Sequence, residues 1–273
     1  MTVGARVVAS GLEDLQRGLM TLDRVVVAFS GGADSALLAR VAHDTLGADR
    51  VRAVTAVSPS LAGDQLADAA ALAGEWSLRW TTVETHEMES AAYRVNDAHR
   101  CAHCKDALMD VLEPIAGAEG ATVLLGVNAD DLTDHRPGQA AAEARGARFP
   151  LAEAGLTKAD VRALSRHLGL RTWDKPAAAC LASRVPYGTE VTVSVLSAVE
   201  RAEAALQRLG FDDLRLRHYG DTARIEVPLD RLADVLEARR KVVEAVRAAG
   251  YLYVTLDLEG LRSGNLNQAL DDG

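Results

Sequence analysis

Cysteine is scarce here: three residues in a chain of 273. So small and odd a number excludes the disulfide scaffold of a small secreted domain. Long apolar runs are also missing, and no stretch approaches the ~18–20 consecutive apolar residues of a membrane-spanning helix. The opening MTVGARVVASGLEDL carries acidic residues and lacks a long apolar core, so a secretory signal is not expected. Nor do basic residues dominate, since 30 Lys and Arg stand against 39 Asp and Glu for a formal net charge of −9. That balance excludes a broad basic face for nucleic acid, while leaving room for a local basic pocket that takes a phosphorylated small molecule. Internal repeats and low-complexity segments are absent. The expected setting is the cytoplasm, with neither membrane nor nucleic acid as partner.

What is present is a globular composition, with 48% apolar and 25% charged residues, in a chain long enough for two domains. Arg24 to Phe29 is a near-continuous apolar run, the pattern of a parallel strand buried on both faces. Helical periodicity follows from Asp34 through Leu37, Leu38, Val41 and Ala42. Further strands are predicted over 51–57, 78–84 and 122–127, with helices over 64–76 and 105–115. This alternation predicts an α/β, doubly wound parallel sheet with ligand sites at the strand C-termini. Thr157 is a predicted N-cap, and Gly169 closes the helix it starts. Beyond Pro186-Tyr187-Gly188 the pattern changes to a helix over 193–209, a hairpin around Gly220-Asp221, a helix over 230–248 and a strand over 251–258. The division expected is a first domain over 1–177 and a smaller α+β domain over 178–273.

The sharpest local signal is Ser30-Gly31-Gly32-Ala33-Asp34-Ser35, between a buried strand and a helix. Two glycines let the backbone turn tightly and bring N–H groups to an anion. The helix N-terminus adds partial positive charge, and Ser30 and Ser35 add hydroxyls. Gly-Lys-Ser/Thr is absent, so this is not a Walker A loop. The plain alternative is an ordinary βα turn capped by Asp34. Cys101-Ala102-His103-Cys104 is a C-x-x-C pair, a spacing that serves redox chemistry, zinc or an iron–sulfur cluster. Cys180 lies in a Pro/Ala-rich loop, where a nucleophilic role competes with that of a small buried apolar residue; nearby Arg184 is expected to lower its pKa. Arg215 and Arg217 alternate on one predicted strand, so both forks project from one face and match a phosphate.

The Ser-Gly-Gly-x-Asp-Ser string resembles the pyrophosphate loop of the N-type ATP pyrophosphatases, a superfamily that includes NAD synthetase, GMP synthetase and tRNA-thiolating enzymes. Further strings narrow the likeness. They are Gly126-Val127-Asn128-Ala129-Asp130-Asp131, Asp134-His135-Arg136-Pro137-Gly138 with Glu143, and Cys180-Leu181-Ala182-Ser183-Arg184-Val185-Pro186-Tyr187-Gly188. Arg215-Leu216-Arg217, Tyr253 to Leu258, Arg262-Ser263-Gly264 and Asn267 complete them. Together these resemble the LarE family of ATP-dependent sulfur transferases, over roughly residues 10–270.

The resemblance implies a PP-loop (HUP-like) sheet and a substrate-binding second domain. It implies that Ser30, Gly31, Gly32, Asp34, Ser35 and Asn128 bind ATP, with Asp34 helping to hold Mg2+. It implies that the carboxylates of a pyridinium biscarboxylic acid mononucleotide are adenylated and converted to thiocarboxylates for the nickel-pincer nucleotide cofactor. By the same likeness Arg215, Arg217 and Ser183 bind the nucleotide phosphate, and Glu203, Glu226 and Asp234 match acidic active-site positions. Single-cysteine members use the position of Cys180 as a sacrificial sulfur donor, leaving dehydroalanine. Three-cysteine members hold a 4Fe–4S cluster, here implied on Cys101, Cys104 and Cys180; zinc on the cysteines with His99 or His103 is the competing metal. A homo-oligomer, a hexamer in the family, is also implied. Competing functions are a tRNA thiolase, disfavoured by the net charge of −9, an amidating ligase, and a nucleotide-sensing module that leaves the cysteines unexplained.

Overall fold

The computed structural model describes residues 3–133, 137–176 and 179–262. The chain forms two compact units. One comprises residues 1–87 and 101–178, the other 88–100 and 179–273.

The first unit opens on helix α1 (Val3–Met20), which the sequence reading did not assign. Leu12, Leu15 and Leu19 carried the i, i+3, i+4 signal, and Leu15 and Leu19 are fully buried. Strands β1 (Val25–Ala28), β2 (Val51–Val57), β3 (Trp80–Glu84) and β4 (Thr122–Leu124) form one sheet in the order β3-β2-β1-β4. All its pairings are parallel. Alternation along β1 explains the unbroken apolar run: Val25 and Val27 join one hydrophobic cluster, while Val26 joins the other. Helix α2 (Ala33–Leu46) lies in the first cluster through Leu37, Leu38 and Val41. Helix α4 (Arg100–Glu119) supplies Met109 and Leu112 to the second, and α3 (Gly63–Glu75) supplies Leu72 to the first. The chain runs outward from β1 to β2 and β3, then returns to the other side of β1 for β4. The crevice between β1 and β4 is therefore a switch point, where α/β sheets bind ligands.

In the second unit, α8 (Val193–Arg208) precedes the antiparallel hairpin of β5 (Arg215–Tyr219) and β6 (Thr222–Glu226). β7 (Tyr253–Leu256) then adds in parallel to β6. One face of this sheet carries Leu216, Ala223 and Ile225, buried with Leu196, Val199 and Leu206 of α8. The single helix expected over 230–248 is instead α9 (Leu232–Glu237) and α10 (Arg239–Ala248), because the backbone opens at Ala238 to ψ 6°.

Residues 88–100, read in the sequence as part of the first domain, belong to the second unit. Asn96 explains why. Wholly buried and left-handed (φ 59°), it donates from Nδ2 to the carbonyls of Pro186 (2.8 Å) and Thr189 (2.9 Å). Its own carbonyl accepts from Gly188 N at 3.0 Å.

Candidate active site

The Ser30 loop leaves the C-terminal end of β1 and enters α2. Gly31 has φ 69°, and a Cβ there would stand 3.1 Å from the Ala69 backbone, so both turn and space require glycine. Ser35 Oγ accepts from Ser30 N (3.2 Å), meets Ser30 Oγ at 3.0 Å and donates to Gly32 O (3.2 Å), which folds the loop on itself. No side chain caps α2, so its first turn keeps the unpaired N–H groups that suit an anion. Across the crevice, just beyond β4, a Cβ at Gly126 would meet Ser35 N at 2.8 Å. Only glycine permits that approach. A cavity of about 220 Å³ opens here, lined by Ser30, Gly32, Asp34 and Ser35 together with Val54, Leu61, Lys105, Leu108 and Val127. Polar loop and apolar wall suit a phosphate with its attached base.

Asp34 is the centre of charge. Asn128 Nδ2 donates to its Oδ1 at 3.1 Å, and the Lys158 ammonium pairs with its Oδ2. Asn128 also accepts from Asp130 N (3.0 Å) and Asp131 N (3.2 Å), capping the short helix α5 (Ala129–Thr133). Asp130 in turn accepts from Lys158 N at 2.8 Å. The two aspartates thus act as joinery at this site. A second lysine, Lys175, donates to Gly31 O (3.0 Å) and to Asp68 (2.5 Å). Burial alone would raise the Asp68 pKa, but hydrogen bonds from Lys175 and Arg171 outweigh it and hold the carboxyl below its ordinary range. The carboxylate oxygens of Asp34 are the hard donors that Mg2+ takes.

The sequence reading gave Lys105, Lys158 and Lys175 no role at this site. Lys158 left a trace: it opens α7 (Lys158–His167), where helix polarity disfavours a cation. The cap itself is as expected, with Thr157 and Asp160 completing a capping box. Asp134, His135 and Arg136 lie outside the described residues, as do Ser263, Gly264 and Asn267. Glu143 is exposed on α6 (Pro137–Ala144).

No disulfide involves the three cysteines. Cys101 and Cys104 sit one turn apart on α4, hence on one face, and the next residue, Lys105, lines the cavity. Two sulfurs so spaced fit a thiophilic metal or cluster. Among the described residues, no three His, Cys, Asp or Glu side chains form a ready donor set.

In the second unit Cys180 is exposed and precedes the turn Leu181–Arg184. Arg184 closes that turn. Its guanidinium donates to Glu203 (3.0 and 3.2 Å), to the Ala179 and Cys180 carbonyls (2.7 and 3.3 Å) and to Ser183 Oγ (3.0 Å). A carboxylate already balances that charge. Within the same unit Arg100, the residue before Cys101, donates to Ala182 O at 2.8 Å, two residues beyond Cys180.

Register places Arg215 opposite Glu226, and Arg217 opposite Arg224, on one face of the small sheet. The two expected phosphate ligands differ. Arg217 is 3% exposed, binds Glu226 at 3.0 and 3.1 Å and donates to Ser183 O at 2.8 Å. Glu226 is fully buried and also accepts from Arg224 at 3.1 Å. Arg215 is half-buried and donates to Arg262 O at 3.1 Å. Burial first, then the nearby charges of Arg217 and Arg184, push its pKa below that of an ordinary arginine. A guanidinium stays charged regardless, so an anion beside Arg215 would offset that cost. Glu203 accepts from Leu216 N at 2.8 Å and so joins this cluster. Asp234 pairs instead with Arg231, exposed, at 2.5 Å.

Residues 13–109 match the NAD synthase family. An uncharacterized protein of Synechocystis sp. is 47% identical over 264 residues, covering 96% of this chain and 98% of its own. The pyridinium-3,5-bisthiocarboxylic acid mononucleotide synthase of Lactiplantibacillus plantarum is 39% identical over 257 residues, covering 94% of this chain and 93% of its own. An uncharacterized protein of Methanocaldococcus jannaschii is 24% identical over 241 residues, with 88% and 91% covered. The chain is an enzyme with a PP-loop domain of the NAD synthase type, and it belongs to the LarE family.

Proposed function

We propose that this enzyme converts a pyridinium biscarboxylic acid mononucleotide to its thiocarboxylate form with ATP, supplying the nickel-pincer nucleotide cofactor. The observation that carries the reading is 39% identity, over nearly the whole of both chains, to a relative named for making that bisthiocarboxylic product. In the first half-reaction a substrate carboxylate oxygen attacks the α-phosphorus of ATP, and pyrophosphate leaves. The N–H groups at the start of α2, with Ser30 and Ser35, hold the departing phosphates. Asp34 holds magnesium, which offsets the charge of two anionic reactants. In the second half-reaction sulfur attacks the activated acyl carbon, the C–O bond to AMP breaks, and AMP departs. Arg215 grips the substrate phosphate, while Arg217, fixed by Glu226, and Ser183 shape its seat.

For the sulfur we propose a 4Fe–4S cluster on Cys101, Cys104 and Cys180. One observation supports it: the helical C-x-x-C beside the ATP cavity. The three thiolates would hold the cluster, and the chemistry it would supply is delivery of sulfide. The test is iron and acid-labile sulfide on protein purified without oxygen, with thiocarboxylate formation followed by mass spectrometry. About four irons per chain and repeated turnover are expected. No iron after anaerobic reconstitution, with Cys180 converted to dehydroalanine in a single turnover, would replace the cluster by a sacrificial cysteine.

A further inference from the structure

We infer that Lys158 is an internal cation that occupies Asp34 until magnesium arrives and then passes to the phosphates of ATP. The inference rests on reading the Ser30 loop as the site of ATP with magnesium. Both oxygens of Asp34 are engaged, one by Asn128 and the other by the Lys158 ammonium. Magnesium takes near-ideal octahedral oxygen coordination, and an ammonium on the same carboxylate both blocks a lone pair and repels the ion. Lys158 must therefore leave Asp34 when the metal binds.

The backbone decides how it leaves. Lys158 N is held by Asp130 at 2.8 Å, and the Thr157–Asp160 capping box fixes the start of α7. Only the four-carbon stem is left to swing. Asp34 itself stands in the first turn of α2, directly after the anion-binding loop. An ammonium released there faces the phosphates bound at the loop, exchanging a carboxylate for a phosphate. This accounts for a lysine at the first position of a helix, where its charge opposes the helix dipole. It also supplies the lysine that the loop, lacking Gly-Lys-Ser/Thr, does not contain.

The exchange has a signature that neither a simple phosphate contact nor a structural ion pair has. Lys158→Met should weaken ATP binding about 10-fold when magnesium is present and by a clearly smaller factor in EDTA, where the lysine contributes only by neutralising Asp34. Asp34→Asn releases the lysine and removes a negative charge, so this variant should bind ATP more tightly than the unaltered protein in EDTA. Titration calorimetry with ATP, with and without magnesium, reads all three comparisons. Equal losses for Lys158→Met in both conditions, no loss in either, or weaker binding by Asp34→Asn in EDTA would overturn the exchange. Failure of the unaltered protein to bind ATP in any condition would instead overturn the nucleotide reading beneath it, and the exchange with it.

Discussion

In the proposed function the Ser30 loop and the arginine face of the small sheet both serve anions, by opposite routes. The loop takes its donors from six consecutive residues and leaves them facing a cavity, with the flanking lysines coming from far along the chain. The arginine face gathers Arg184, Arg215, Arg217 and Arg224 from one turn and two strands, then neutralises most of them internally with Glu203 and Glu226. A run of backbone N–H groups costs little to hold ready, because a helix must leave them unpaired anyway. Clustered guanidinium groups repel each other, and they stay together only if carboxylates are buried among them. The first region can therefore be read from a string of letters, the second only from register and burial.

Breaking the buried carboxylate should produce the largest effect. Glu226→Ala leaves Arg217 buried without its partner, and a loss of about 3–5 kcal/mol of stability is expected from denaturant unfolding. Replacing the exposed Asp234 by Ala should change stability by less than about 0.5 kcal/mol. Asp34→Asn should lower the rate of pyrophosphate release about 100- to 1,000-fold, in steady-state assays with saturating mononucleotide. Arg215→Ala should raise KM for the mononucleotide about 10- to 100-fold while leaving the unfolding midpoint nearly unchanged, because it removes a charged contact to substrate from a half-buried site. The same change at Arg217 should lower stability as well, and that contrast sharpens the division between gripping and fixing arginines.

The smallest effect concerns His218, which meets Tyr251 Oη at 3.2 Å. Burial lowers its pKa below 6.5, against the weaker opposing pull of Asp221. Folding therefore favours the neutral ring. Its contribution is complete above pH 6.5 and declines as pH falls from 6.5 toward the folded value, because the unfolded chain takes up the proton first. Stability measured across that window should slope by less than one proton, and His218→Phe should flatten the slope.

Much of the fold was legible because its signals are local. The apolar run of β1, the alternation of strands and helices, the Gly220 hairpin and the Thr157 cap each lie within a few residues. The Ser30 loop was legible for the same reason. Residues 88–100 were not, because their membership of the second unit depends on Asn96 bonding to residues some 90 positions away. Lys158 and Lys175 escaped notice because 124 and 144 residues separate them from Asp34 and Gly31. Arg217 and Arg215 read alike in the sequence, and only the depth of Glu226 tells them apart.

The central claim is that one chain carries two separable half-reactions, activation at the Ser30 loop and sulfur transfer that depends on Cys180. The measurement that tests it most directly follows pyrophosphate release and thiocarboxylate formation together in Cys180→Ser. Pyrophosphate release that depends on the mononucleotide and stays within about 2-fold of the unaltered enzyme, with thiocarboxylate formation reduced to background, is the expected result. Loss of both, or persistence of thiocarboxylate formation, would contradict it.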